Sequence, residues 1–209
     1  MATQIIKPNL LVVEGKDDEY LFEALINEIR IQNIQIISLE GKSNFRDRLE
    51  ALKKTSGFAT EVVSIGIVRD ANDDPSVAFR SVCDALRNLS LPTPAHPLLS
   101  VGNNPRVTVM LLPSEDTPGM LEDLCLKSVE EDPAMICVDK YFNCLKKKNI
   151  TYDSRKSKAK VQVFLSSRER LKKSLGEAAK AGYWPFNHIA FNQAKNFLQK
   201  IIHNENNPV

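Results

Sequence analysis

Leu10-Leu11-Val12-Val13-Glu14-Gly15-Lys16-Asp17-Asp18 is the stretch on which the fold turns. Its apolar run stops at a carboxylate and a glycine, and a helix-start signal follows at once. A run of this kind, polar on both sides, predicts a strand buried on both faces, as in a parallel sheet. Glu14 then falls at the strand's carboxyl end, where open α/β sheets place their ligands. A second stretch repeats the arrangement, with Val62-Val63-Ser64-Ile65-Gly66-Ile67-Val68 running into Arg69-Asp70-Ala71-Asn72-Asp73-Asp74. Two buried strands that release acidic side chains at one edge predict a cation site, because clustered carboxylates repel unless a metal or protons neutralise them.

The segments around these strands have helical periods. Lys16-Asp17-Asp18 offers an N-cap and an acidic first turn, and Asp17 and Asp18 are read as capping residues. Leu21, Ala24, Leu25 and Ile29 recur at helical spacing, predicting a helix from about 18 to 31. Ile34 to Leu39 alternates and predicts a second strand. After a turn at Gly41-Lys42-Ser43-Asn44, Phe45, Leu49 and Leu52 predict a second helix ending near Ser56-Gly57. Pro75-Ser76 opens a third, with Val77, Phe79, Val82, Leu86 and Leu89 facing inward. Strands separated by amphipathic helices predict a parallel sheet with right-handed crossovers.

Beyond Ser90 the chain loosens, and His96 to Val101 is expected to pair with Arg106 to Leu112 as an edge hairpin. Val107 to Leu112 is the expected fourth parallel strand, emptying into the acidic loop Pro113 to Gly119. Met120 to Val129 predicts a short helix with Glu122 and Asp123 in its first turn. Met135, Ile136, Tyr141, Phe142 and Leu145 continue the helical spacing. A basic stretch follows, Lys146-Lys147-Lys148 and then Arg155-Lys156-Ser157-Lys158-Ala159-Lys160. A helix over about 160–175 carries Val161, Phe164, Leu165 and Leu171. Tyr183, Trp184 and Phe186 are expected to close the core beneath a last helix bearing Phe191, Ala194, Phe197, Leu198 and Ile201.

Composition bounds the rest. A chain of 209 residues, 43% hydrophobic, can bury one substantial core. Its net charge of +2 excludes a strongly basic nucleic-acid binder, so phosphate affinity must come from local patches. Cys83, Cys125, Cys137 and Cys144 form no CxxC pair and are expected to be reduced, buried and small. His96, His188 and His203 stand alone. No apolar run approaches the ~20 residues needed to span a bilayer, so a soluble cytoplasmic protein is expected, with no membrane partner.

Val13-Glu14-Gly15-Lys16-Asp17-Asp18 followed by Ile67-Val68-Arg69-Asp70-Ala71-Asn72-Asp73 resembles the Toprim domain of topoisomerases, primases and the overcoming-lysogenization-defect nucleases. The likeness is greatest to small stand-alone bacterial Toprim-like proteins of unknown function. A later proline-rich loop and acidic helix start, Leu112-Pro113-Ser114-Glu115-Asp116-Thr117-Pro118-Gly119-Met120-Leu121-Glu122-Asp123-Leu124, belongs to the same pattern. The resemblance covers residues 8 to about 130. It implies a three-layer α/β fold with a mostly parallel sheet of about four strands, in a Toprim-like domain over 1–130. Residues 131–209 are then a helical extension packed on the same core. In the Toprim pattern a glutamate ends the first strand and acts as general acid or base, while a DxD pair ends the third and holds metal. Glu14 and Asp70 carry over as the catalytic pair; Asn72 stands where the second aspartate belongs, with Asp73 and Asp74 following.

The resemblance therefore implies Mg²⁺ or Mn²⁺ held by Glu14, Asp70, Asn72, Asp73 or Asp74, and Glu122. Glu115, Glu122 and Asp123 are candidates for a second ion, which would clamp the attacking and leaving oxygens of a phosphodiester. Lys16, Lys156, Lys158 and Lys160 are the candidate nucleic-acid contacts. The implied activity is a metal-dependent phosphodiesterase or nuclease acting on DNA or RNA, in phage defence or mobile-element biology, with a separate ATPase as a possible partner protein. The alternative is a non-catalytic module that keeps the fold and binds a nucleotide, nucleic acid or partner, and Asn72 favours it. A Rossmann-type nucleotide site has no GxGxxG or Walker loop to support it.

Overall fold

A computed structural model describes residues 4–39, 45–151, 156–170 and 174–202. The expected turn at 41–44 lies outside these residues, as do Arg155, Leu171, Lys172, Lys173 and His203. Four strands, β1 (Asn9–Val13), β2 (Ile34–Ser38), β3 (Ser64–Asp70) and β4 (Arg106–Leu112), form one parallel sheet in the order β2-β1-β3-β4. Every residue of β1 and of β4 is buried. That burial explains why their sequences are continuous apolar runs rather than alternating ones.

The pleat divides the core in two. Leu10, Val12, Ile65, Ile67, Val107 and Val109 face α2 (Phe45–Lys53), α3 (Phe58–Glu61) and α4 (Pro75–Asn88). Leu11, Val13, Val68, Met110 and Leu112 face the opposite layer. That layer comprises α1 (Lys16–Glu28), α5 (Leu121–Ser128), α6 (Pro133–Lys147), α7 (Lys156–Ser166), α8 (Leu175–Lys180) and α9 (Asn192–Ile202). The result is a three-layer α/β fold whose C-terminal helices share one hydrophobic cluster with β1, β3 and β4.

Close packing has its own sequence signature. Gly66 lies on the α9 side of β3, and a methyl group there would run into Ile201 and Phe197. An isolated strand glycine marks such an approach of another element. At the amino ends of the strands, Arg106 donates to the carbonyls of Lys200 and Ile201 at 2.9 and 3.1 Å, capping α9. Trp184 is buried, donates to Leu175 O at 3.0 Å and stacks on Phe164 at 5.6 Å, so the aromatic segment does close the core.

Several expectations need correction. The edge hairpin reduces to one antiparallel bridge, Val101 with Val107, plus a bond from Leu98 N to Val109 O. The helix expected over 160–175 is two: α7 starts at Lys156 and ends at Ser166, and α8 opens at Ser174, whose hydroxyl accepts from Glu177 N. Val77, Ile136 and Tyr141 are exposed, since their helices bury a narrower stripe than the apolar count implies. Cys83 and Cys125 are buried as expected, whereas Cys137 and Cys144 lie on the outer side of α6. Among the described residues no helix is long and apolar enough to cross a membrane.

Candidate functional site

The strand order decides where the acidic side chains meet. β1 and β3 are neighbours, with Val12 opposite Ile67, so their carboxyl ends open on the same rim. The helices leaving β1 and β3 depart to opposite faces, which makes this the switch point where an open parallel sheet leaves a crevice. Glu14 follows β1 directly, and its Oε1 accepts the backbone N–H of Asp70 at 2.9 Å. The same oxygen lies 3.1 Å from Arg69 Nε. Asp70 ends β3, and its Oδ1 accepts the N–H of Leu121 at 3.0 Å, at the start of α5.

Two further carboxylates complete the rim. Asp18 sits in the first turn of α1, and its Oδ2 accepts from Gly15 N at 3.1 Å. Glu122 sits in the first turn of α5. Burial, then the charge of Glu14 and more weakly that of Glu122, push the Asp18 carboxyl up to about 7. Burial, then the charges of Asp18, Glu14 and Glu122, push Asp70 up to about 8. The Cys125 thiol lies beneath the same field and is raised by its burial first, then by Glu122, Asp18 and Asp17. Each hydrogen bond named for Glu14, Asp18 and Asp70 engages one oxygen, leaving the other outside these contacts.

Asn72 has a different task. Its φ of 51° lies in the left-handed region that asparagine tolerates better than most residues. Its backbone exchanges two 2.7 Å hydrogen bonds with Gly119, tying the loop after β3 to the loop before α5. Its Nδ2 donates to Asp70 O at 3.3 Å. Asp73 and Asp74 are exposed, and among the described residues no hydrogen bond or ion pair ties either to Glu14, Asp18, Asp70 or Glu122. Asp74 is the N-cap of α4, accepting from Ser76 N and Val77 N at 2.8 and 3.2 Å, with Pro75 in the first turn. Asp123 likewise accepts from Met120 N at 2.9 Å and from the Ser157 hydroxyl, and Glu115 is exposed. Asp17 holds α8 by accepting from Gly176 N at 2.9 Å.

The candidate lysines separate too. Lys158 of α7 reaches the rim, 3.5 Å from Glu122. Lys16 pairs with Glu19 at 3.0 Å, and Lys160 pairs with Asp139. Lys156 lines a neighbouring cleft of about 360 Å³ with Ser157, Lys160 and Lys127. Asp18 is the rim member that sequence reading assigned to capping alone. No sequence signal separates it from an ordinary acidic first turn, because its place at the rim depends on β1 lying beside β3.

The family described as "Protein of unknown function (DUF3226)" matches residues 8–203. The chain belongs to that family. The match takes in every rim residue and the C-terminal helices. None of the curated proteins matches the chain. A solved structure, the crystal structure of hypothetical protein PH0156 from Pyrococcus horikoshii OT3, is similar in fold. It shares 14% identity over 94% of each chain, with a TM-score of 0.58.

Proposed function

We propose that the rim of Glu14, Asp18, Asp70 and Glu122 is a divalent-cation site, and that the chain is a metal-dependent phosphodiesterase or nuclease acting on nucleic acid. The observation that carries this reading is the convergence of four carboxylates at the switch point, where burial and then the neighbouring carboxylates push the Asp18 and Asp70 carboxyls up. Unfavourable concentration of like charge at a sheet edge is characteristic of a functional site rather than of a stabilising one. In kind the donors suit Mg²⁺ or Mn²⁺, which take carboxylate oxygens. Among the described residues no three such side chains stand close enough together to hold an ion as placed. Sharing one therefore requires side-chain rotation at the rim. Asn72, engaged with Gly119, supplies loop geometry here rather than the charge of the Toprim pattern's second aspartate.

An ion bound there would neutralise the carboxylates and polarise a phosphoryl oxygen. Glu14, held at Oε1, would take the proton of the attacking water as its oxygen bonds to phosphorus, and the ester bond would break with the departing oxygen taking a proton from solvent water. The Mg²⁺ or Mn²⁺, the nucleic-acid substrate and the Toprim relationship all belong to this proposal. The test is cleavage of supercoiled, linear and single-stranded DNA, and of RNA, by the purified chain with Mg²⁺ or Mn²⁺. Cutting that Glu14→Gln abolishes is expected; no cutting of any substrate, or equal cutting by that variant, overturns the reading.

A second reading, a non-catalytic module, is favoured by the spacing of the donors and by Asn72. Calorimetry separates the two, since a module binds nucleic acid without binding Mg²⁺ or Mn²⁺.

A further inference from the structure

Arg69 is the penultimate residue of β3 and points to the layer opposite Asp70. Its guanidinium stacks on the Phe45 ring at 5.0 Å, and its side chain is only 21% exposed. The Nε–H is buried and lies 3.1 Å from Glu14 Oε1, yet the contact falls short of hydrogen-bond geometry, and no other group satisfies that donor. None of the described residues accepts a hydrogen bond from its terminal amino groups. A guanidinium has five N–H donors in a planar fork suited to two oxygens of one phosphate. Here the fork is half-buried, braced by an aromatic face and adjacent to a carboxylate that accepts a backbone N–H from the same strand end.

A lone surface ion pair does not need this support. Lys158 and Lys16, two further cations among the described residues beside the rim, are 47% and 51% exposed on flexible stems. Of these three, Arg69 is the one whose orientation the fold determines.

We propose that Arg69 is a phosphate-binding residue of the rim, presenting its unfilled donors to a phosphodiester oxygen of the bound nucleic acid. The inference rests on the reading of the rim as a phosphodiester site. Arg69 contributes recognition that a cation alone does not supply, because the fork fixes the orientation of the phosphate as well as its charge.

The experiment follows anisotropy of a short fluorescein-labelled single-stranded DNA in Ca²⁺, with Mn²⁺ affinity measured separately by calorimetry. Arg69→Ala is expected to weaken DNA binding by about 10-fold or more, as for loss of a charge-assisted pair. It should leave Mn²⁺ affinity unchanged or higher, since a positive charge beside the carboxylates has gone. Arg69→Lys, which keeps the charge without the fork, should recover only part of the loss, and added ethylguanidinium should restore binding to Arg69→Ala. DNA affinity unchanged in Arg69→Ala, or fully restored in Arg69→Lys, overturns the role of the fork. If Arg69→Ala fails to fold, the Arg69→Lys comparison decides. Absence of Mn²⁺ binding by the unsubstituted chain sinks the underlying metal reading instead, which is a separable result.

Discussion

Asp70→Asn is the perturbation that most sharply probes the electrostatics of the rim. Asp70 rises from 3.8 to about 8 and Asp18 from 3.8 to about 7, in each case first through burial. A carboxyl whose pKa is higher folded than unfolded holds more protons in the folded state between those two values. Stability is therefore complete below the unfolded pKa and falls as pH rises towards the folded one. The window runs from about 4 to about 8. For one carboxyl at about 7 in the folded state, moving from about pH 5.5 to about pH 8.5 costs about 2 kcal/mol, at ~1.4 kcal/mol per pKa unit. For Asp70 at about 8 the same move costs about 3.5 kcal/mol, so a total of about 5 kcal/mol is expected from the two carboxyls together. Asparagine keeps an oxygen able to accept from Leu121 N while removing the charge. Asp70→Asn should therefore be more stable than the unsubstituted chain at about pH 8.5, with its pH dependence more than halved. Urea unfolding across the pH range measures both, and saturating Mg²⁺ should flatten the slope of the unsubstituted chain. Stability that stays level or increases from pH 5.5 to 8.5 without metal would refute the reasoning.

Other consequences are simpler to read. Asp74→Ala should cost about 1 kcal/mol through loss of the α4 N-cap, seen by thermal denaturation, with Mn²⁺ affinity unaltered in calorimetry. Gly66→Val should destabilise by about 1–3 kcal/mol through overpacking against Ile201 and Phe197; a neutral result in urea titration would mean that α9 is not seated on β3. Lys158→Met should change stability by less than about 1 kcal/mol, since the ammonium is about half exposed and stands 3.5 Å from Glu122. The same substitution should tighten Mg²⁺ binding in calorimetry, because an ammonium competing for that carboxylate is gone.

Glu14 and Asp70 could be read from the sequence because each ends an apolar run too continuous for a one-sided strand, and burial on both faces limits where such a strand can end. Asp18 could not, since an acidic first turn suits any helix and its second contribution depends on β1 lying beside β3. Asp74 illustrates the reverse: Asp-Asp-Pro after a strand reads equally as ligand or cap, and only the bonds to Ser76 N and Val77 N decide. Asn72 departs from the expected aspartate at a position where the backbone is left-handed and doubly bonded to Gly119. The break between α7 and α8 was hidden because Val161, Phe164 and Leu165 keep helical spacing up to the end of the first helix. The exposed faces of α4 and α6 show the same limit, since periodicity indicates a stripe but not its width.

Anomalous diffraction from a crystal soaked in Mn²⁺ tests the central claim most directly. The account predicts a single peak at the ends of β1 and β3, within ligand distance of Asp70 and at least one of Glu14, Asp18 and Glu122. A fully occupied peak elsewhere, or none at the rim in a crystal above the pH where both aspartates ionise, would contradict it.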